Sequence, residues 1–234
     1  MVHIVDYDAG NQTSVKRALD YLGVEAVITP DAETVRKAER LIFPGVGHAH
    51  SAMETLKEHG LDEALKEAFH QGTPILGICV GCQILLSRSD ETDLPCLDLI
   101  DGACHRFQPS DHALKVPHMG WNALSIAREH EILKDVQPGD EVYFVHSYYP
   151  APTDTAAVYA TCEYDVPFAA AIGYKNLFAT QFHAEKSGPV GLQIIGSHLG
   201  EEDIFRAAAA FEEARPWADK RTCATVSWSR ACSL

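Results

Sequence analysis

The stretch Leu76-Gly77-Ile78-Cys79-Val80-Gly81-Cys82-Gln83 decides how the rest of the chain is read. The apolar run Pro74-Ile75-Leu76 leads straight into a cysteine flanked by glycines, and a helix-like segment follows. A strand turning sharply into a helix at one reactive residue is a nucleophile elbow, here with Cys in place of Ser. The turn lifts that side chain above the sheet, and the helix N-terminus beneath it favours a thiolate. Most cysteines are merely buried as small hydrophobes. Gly77 and Gly81 argue for more here, because small neighbours are needed where a backbone turns and packs closely. Cys79 and Cys82 also form a Cys-x-x-Cys pair, so a dithiol redox site stays open at this point.

Outward from the elbow, the first third alternates strand and helix. Strands are expected at Val2–Tyr7, Ala26–Thr29 and Arg40–Phe43, the last ending in the turn Pro44-Gly45-Val46-Gly47. Helices are expected at Thr13–Leu22, from an Asp31 cap to Lys37, at Ala52–Lys57 and at Leu61–Gln71. A further helix is expected from Val80 to about Leu86. This alternation implies right-handed crossovers and a mostly parallel central sheet with helices on both faces. Ligands of such α/β sheets bind beyond the carboxyl ends of the strands, where Cys79 and the Pro44–Gly47 turn both fall.

From about Cys96 to Tyr174 the pattern shifts to short strand-like pieces, at Ala103–Phe107, Trp121–Ser125, Glu141–Tyr148, Ala157–Tyr164 and Ala169–Gly173. A smaller antiparallel segment packed beside the parallel core is expected there. Leu177–Phe182 is a further strand delivering His183 at its end, and helices over Pro189–Leu199 and Asp203–Arg215 close the domain. A single domain over 1–215 with an irregular extension over 216–234 is the expected organisation.

Composition sets the bounds. A chain of 234 residues with 46% hydrophobic content supports one large core. The net charge of −14 argues against a nucleic-acid or anionic-membrane partner, since phosphate binding draws on clustered Lys and Arg. No apolar run has the length of a membrane helix, and Met1–Tyr7 carries no secretory signal. Seven irregularly spaced cysteines read as mostly reduced thiols, so a cytoplasmic protein is expected.

The downstream stretch Gln181-Phe182-His183-Ala184-Glu185 holds the partners a cysteine nucleophile needs. On an extended segment residues two apart point the same way, so Glu185 would hold the ring of His183 while its other nitrogen faces Cys79. The Pro44–Gly47 turn offers no reactive side chain. Its backbone N–H at Val46 or Gly47, with that of Val80, would form an oxyanion hole. His48 and His50, and likewise Cys96, Cys104 and His105, lack the spacing of a metal site. With no Walker loop and no dinucleotide fingerprint either, no metal or cofactor is expected.

With these pieces placed, the chain resembles the class I (triad) glutamine amidotransferases, and within them the glutaminase subunits of imidazole glycerol phosphate synthases. The match runs from Val2 to about Leu199. Its general signature is Gly77-Ile78-Cys79-Val80-Gly81 with His183 and Glu185. The narrower likeness rests on Asp8–Asn11, Pro44–Gly47, Pro117–Asn122, Tyr143–Tyr148 and Glu185–Gly188. The resemblance implies that Cys79 attacks the side-chain amide of glutamine, with Val80, Val46 and Gly47 holding the oxyanion. It implies that His183 and Glu185 complete the triad and that Gln83 and Glu91 hold the substrate. Trp121, Asn122, Tyr143 and Lys186 match positions facing a cyclase partner. That partner is built as a (βα)₈ barrel, forms a heterodimer with the glutaminase and receives its ammonia for histidine biosynthesis. Two positions depart from the pattern: Ala184 replaces the usual proline between His and Glu, and Cys82 replaces the usual methionine, which opens the way to a Cys79–Cys82 disulfide. The readings held against this one are a glutaminase serving another acceptor, a silent partner-binding protein, and the Cys-x-x-Cys redox protein.

Overall fold

Near-continuous apolar strands and one-sided helices give a doubly covered sheet. The computed structural model describes residues 1–111 and 113–200. In chain order its first half contains β1 (Val2–Val5), α1 (Gln12–Tyr21), β2 (Ala26–Thr29), α2 (Ala32–Arg36), β3 (Arg40–Gly45), α3 (Ala49–Glu58), α4 (Leu61–Gln71), β4 (Ile75–Cys79) and α5 (Val80–Gln83). The second half contains β5 (Leu86–Ser89), β6 (Ile100–Arg106), β7 (His118–Ala123), β8 (Ser125–Ile126), β9 (Glu141–His146) and β10 (Tyr148–Pro152). It closes with β11 (Val158–Tyr164), β12 (Val166–Tyr174), β13 (Leu177–Thr180) and α6 (Gly188–Leu199). The expected helix over Asp203–Arg215 and the extension over 216–234 lie outside the described residues.

The main sheet runs β2-β1-β3-β4-β13-β12-β11-β8. From β2 through β13 its pairs are parallel, and β12, β11 and β8 continue it antiparallel. The parallel–antiparallel division is thus as expected, but part of the antiparallel segment joins the central sheet instead of packing beside it. Two smaller sheets, β10-β6-β5 and β7-β9, hold the remainder. Residues 75–79 of β4 are all buried, as a central strand covered on both faces requires. Local chemistry sets several helix ends. Asp31 caps α2 by accepting the Thr34 N–H at 2.8 Å, and α4 lies between Gly60 and Gly72, both left-handed.

Several boundaries differ from the expected ones, and two of them have a plain physical reason. The helix after Cys79 stops at Gln83 instead of running to Leu86. Ile84, Leu85 and Leu86 are apolar and wholly buried, which leaves no polar face for a helix. Their carbonyls instead accept the N–H groups of residues 97–100, and Leu86 opens a strand parallel to β6. The expected strand Glu141–Tyr148 breaks at Ser147, where β9 and β10 part into different sheets. Pro150 and Pro152 are tolerated on β10 because it is an edge strand.

Three buried imidazoles tie stability to pH. Burial lowers His118 to about 4, and His146 and His198 to about 3, from the ordinary 6.5. Between those values and 6.5 the unfolded chain binds protons that the folded one refuses, so stability falls as the medium is acidified. His183 works in the opposite sense. Burial disfavours its charge, but the Cys79 and Glu185 side chains outweigh this and hold it up to about 10. Its contribution is therefore present below 6.5 and declines as pH rises toward 10. Calorimetric melting temperature is expected to peak near neutrality and to fall more steeply on the acid side, where three rings act together.

Candidate active site

Cys79 ends β4 and caps α5 with φ +55° and ψ −108°, a conformation that side-chain-bearing residues rarely adopt. Close packing around it makes glycine obligatory nearby. A Cβ on Gly81 would collide with the carbonyl oxygen of Phe43, and one on Gly45 with the Tyr7 hydroxyl and the backbone of Gly81. The expected elbow is therefore present, and it brings the end of β3 against the start of α5. Beyond the carboxyl ends of β3, β4 and β13 lies a cavity of about 290 Å³. Val46, Gly47, Cys79, Val80 and His183 line it, with Gly47 at φ +94°. A second cavity of about 320 Å³, lined by Asp90, His105, Tyr149 and Asp165, lies on the small sheet and contains none of these groups.

His183 is wholly buried, and its Nδ1 lies 2.8 Å from Glu185 Oε1. Its Nε2 is buried without a nitrogen or oxygen partner, in the same cavity as the Cys79 thiol. The pairing was expected from an extended segment, but its geometry is different: Ala184–Lys186 is a 3₁₀ turn with His183 as its cap. Glu185 reaches back over that turn, and its Oε1 also accepts from Asn11 Nδ2 at 3.4 Å.

Several contacts hold the turn without a proline at 184. The His183 N–H donates to Tyr143 O at 2.9 Å, while His183 O accepts from the Lys186 N–H and from Ser187 Oγ. Gly191 packs directly on the Ala184 carbonyl. Ala184 opens the turn, and His183 before it has φ −82° and ψ 93°, outside the α region that a following proline disfavours. Ala184→Pro is thus expected to raise stability by about 0.4–1 kcal/mol through the unfolded state while leaving kcat unchanged. Denaturant titration and an activity assay check both parts.

Gln83 and Glu91 line the same cavity. Gln83 Nε2 donates to Tyr148 O at 2.9 Å and to Gln181 Oε1 at 3.1 Å, leaving its own oxygen unspent. Glu91 Oε2 accepts the Ala49 N–H at 2.8 Å, at the start of α3, and its Oε1 lies 3.0 Å from His48 Nδ1. Trp121 and Tyr143 meet edge to face at 6.0 Å on the β7-β9 ribbon, and Trp121 is 53% exposed. Lys186 is exposed in the turn after His183. Asn122, alternating with Trp121 along β7, turns inward instead, toward Glu163 O and the His118 ring. Gln181, His118 and His146 are site neighbours that sequence reasoning did not single out. Gln181 sits two residues before His183, and both histidines lie inside the Pro117–Asn122 and Tyr143–Tyr148 motifs, which was the available signal.

Burial raises the Cys82 thiol well above its ordinary value, with Cys79 adding to the effect. Both are free thiols. His48 and His50 pair with Glu91, Thr92 and Glu54.

Comparison with known proteins gives the family. Residues 3–200 match the family model described as glutamine amidotransferase class-I. The chain is 50% identical over 202 residues to the imidazole glycerol phosphate synthase subunit HisH of Nitratidesulfovibrio vulgaris strain DP4, covering 84% of this chain and 94% of that one. It is 45% identical to the HisH subunit of Geobacter sulfurreducens over 86% of this chain and 98% of the other. Among solved structures, a glutamine amidotransferase shares the fold with a TM-score of 0.67 at 18% identity, over 88% of this chain and all of that one. PurLQS from Thermotoga maritima does so with 0.64 at 19%, over 85% of this chain and 96% of that one. The chain belongs to the class-I glutamine amidotransferase family, within the branch of the HisH subunits.

Proposed function

We propose that this chain is the glutaminase subunit of an imidazole glycerol phosphate synthase, with Cys79, His183 and Glu185 as its triad. The observation that carries the roles is the His183 ring: one nitrogen is held by Glu185 at 2.8 Å, and the other, with no nitrogen or oxygen partner, lies in the cavity of Cys79. The Cys79 thiolate attacks the side-chain carbonyl carbon of glutamine. The oxygen takes the developing charge and is held by the backbone N–H of Val80 and of the Val46–Gly47 turn. His183, protonated through Nε2, gives that proton to the departing nitrogen, and ammonia leaves a glutamyl thioester. The neutral ring then removes a proton from water, which attacks the thioester and releases glutamate and the thiolate. Glu185 keeps the ring in one tautomer throughout. Gln83 and Glu91 hold the α-amino group of glutamine.

The ammonia is passed to a cyclase partner built as a (βα)₈ barrel and docked on the face bearing Trp121, Tyr143 and Lys186, with the neighbouring Asn122 turned inward from it. The exposed Trp121, with the half-buried Tyr143 against it and Lys186 exposed nearby, supports that placement, as aromatic anchors dominate such interfaces. The backbone bond from His183 N–H to Tyr143 O gives this face a short path to the catalytic ring. Free thiols support a reducing, cytoplasmic setting, and among the described residues no helix is long and apolar enough to cross a membrane. Co-purification with a candidate cyclase and a glutamine-dependent assay for imidazole glycerol phosphate test the assignment. Glutamine turnover is expected to be weak alone and to rise about tenfold or more with the partner and its nucleotide ligand. Equal turnover with and without the partner removes the coupling.

A further inference from the structure

The geometry points to Gln181 as a further catalytic residue that donates a hydrogen bond to the Cys79 sulfur, its amide fixed by a relay of neutral side chains from Asn122 through His118, His146 and Gln83. This rests on the glutaminase reading and adds groups that it does not use. Gln181 is wholly buried, and its Nε2 lies 3.8 Å from Cys79 Sγ. Its Oε1 takes one hydrogen of Gln83 Nε2, at 3.1 Å, and the other goes to Tyr148 O at 2.9 Å. The same carbonyl is 2.8 Å from His146 Nδ1, His146 Nε2 is 3.0 Å from His118 Nδ1, and His118 Nε2 is 3.4 Å from Asn122 Nδ2.

Donor and acceptor roles leave one consistent assignment. A carbonyl only accepts, so His146 carries its proton on Nδ1 and accepts at Nε2. His118 must then donate from Nδ1 and accept at Nε2 from the Asn122 amide. Asn122 is itself oriented, donating to Glu163 O and accepting the Ala123 N–H. A proton added to either ring would set two N–H donors face to face, and burial, which lowers both histidines, keeps them neutral. With both Gln83 hydrogens spent, its oxygen is left to accept from the substrate's ammonium group. With Gln181 Oε1 occupied, its NH₂ must point at sulfur, where a donor favours the thiolate. His118 and His146 are positioning residues that act through Tyr148 O and Gln83, and His146 also borders the cavity.

The test uses the full chain. The pH dependence of Cys79 alkylation by iodoacetamide reports its thiolate. Gln181→Leu is expected to move that midpoint up by about one unit, as for loss of a bond to a charged group, and to lower kcat about tenfold or more. Gln181→Glu, equal in size but offering a carboxylate, is expected to move it further. His146→Leu is expected to raise KM for glutamine several-fold with a smaller change in kcat, and His146→Gln, which retains a donor, to recover much of it. An unmoved midpoint in folded Gln181→Leu overturns the role of Gln181. On the unmutated protein, ¹⁵N spectra of the imidazoles should show His118 and His146 as neutral Nδ1–H tautomers at neutral pH. An Nε2–H tautomer at either one overturns the relay, even if no variant folds. Alkylation and tautomer readouts use no glutamine turnover, so their failure and failure of the glutaminase reading are separable.

Discussion

Cys79→Ala is expected to abolish glutamine hydrolysis, lowering kcat by about 10⁴-fold or more, and to end labelling by a glutamine-analogue electrophile. The magnitude follows from how triads fail. The nucleophile, its base and the orienting group act as one unit, and what survives loss of the nucleophile comes only from binding and the oxyanion donors. The same reasoning predicts non-additivity: Cys79→Ala combined with His183→Ala should be scarcely worse than Cys79→Ala alone. Cys82→Ala is the discriminating control. It removes a buried thiol from beneath the site without touching the triad, so most activity should remain, whereas a dithiol redox mechanism requires its complete loss. Backbone strain adds a stability readout. Cys79 sits at φ +55°, and the strain of such a conformation is of order 1–3 kcal/mol for a residue with a Cβ. Cys79→Gly should therefore be as inactive as Cys79→Ala but measurably more stable than it in denaturant. Retained turnover in Cys79→Ala would sink the assignment.

What the sequence revealed was what depends on local stereochemistry. Gly77-x-Cys79-x-Gly81 is legible because close backbone approach excludes every other residue, and Phe43 does lie where a Cβ of Gly81 would fall. α4 was legible to the residue because glycines with left-handed backbone stand at both ends. The His183–Glu185 pair was legible as a pair, though through a 3₁₀ turn in place of an extended segment. Ile84-Leu85-Leu86 was misread because an uninterrupted apolar run has no period to separate helix from strand. Gln181, His118 and His146 were hidden for a different reason. Their bonds join residues 102, 28 and 98 positions apart, between segments whose adjacency only the folded topology creates. A polar side chain inside a buried strand carries no sign in the sequence of which partner satisfies it.

Glu185→Gln is the second large effect, an expected fall in kcat of about 10²–10⁴-fold with little change in KM for glutamine. The Glu185 side chain is buried and is not itself part of the cavity lining, so its influence must pass through His183. Ionised, it can only accept, which forces the His183 proton onto Nδ1 and leaves Nε2 to exchange protons with Cys79 and the leaving nitrogen. It also stabilises the imidazolium, together with the Cys79 side chain. A glutamine of the same shape does neither reliably. Its NH₂ turned toward Nδ1 selects the Nε2–H tautomer, which cannot act as base toward the thiol, and a comparable exchange in a serine triad costs about 10⁴-fold. With the amide oxygen facing Nδ1 the tautomer survives but the charge does not, which sets the lower bound. These cases separate by pH. Loss of the carboxylate should lower the His183 pKa, so the alkaline limb of the activity profile, which reports protonated His183, should move to lower pH in Glu185→Gln. Stability gives an independent check: the contribution of His183 between pH 6.5 and 10 should shrink, flattening the alkaline decline in melting temperature. An unchanged alkaline limb with full kcat would mean that the ring needs no carboxylate, and Glu185 would then be only a packing residue of the turn.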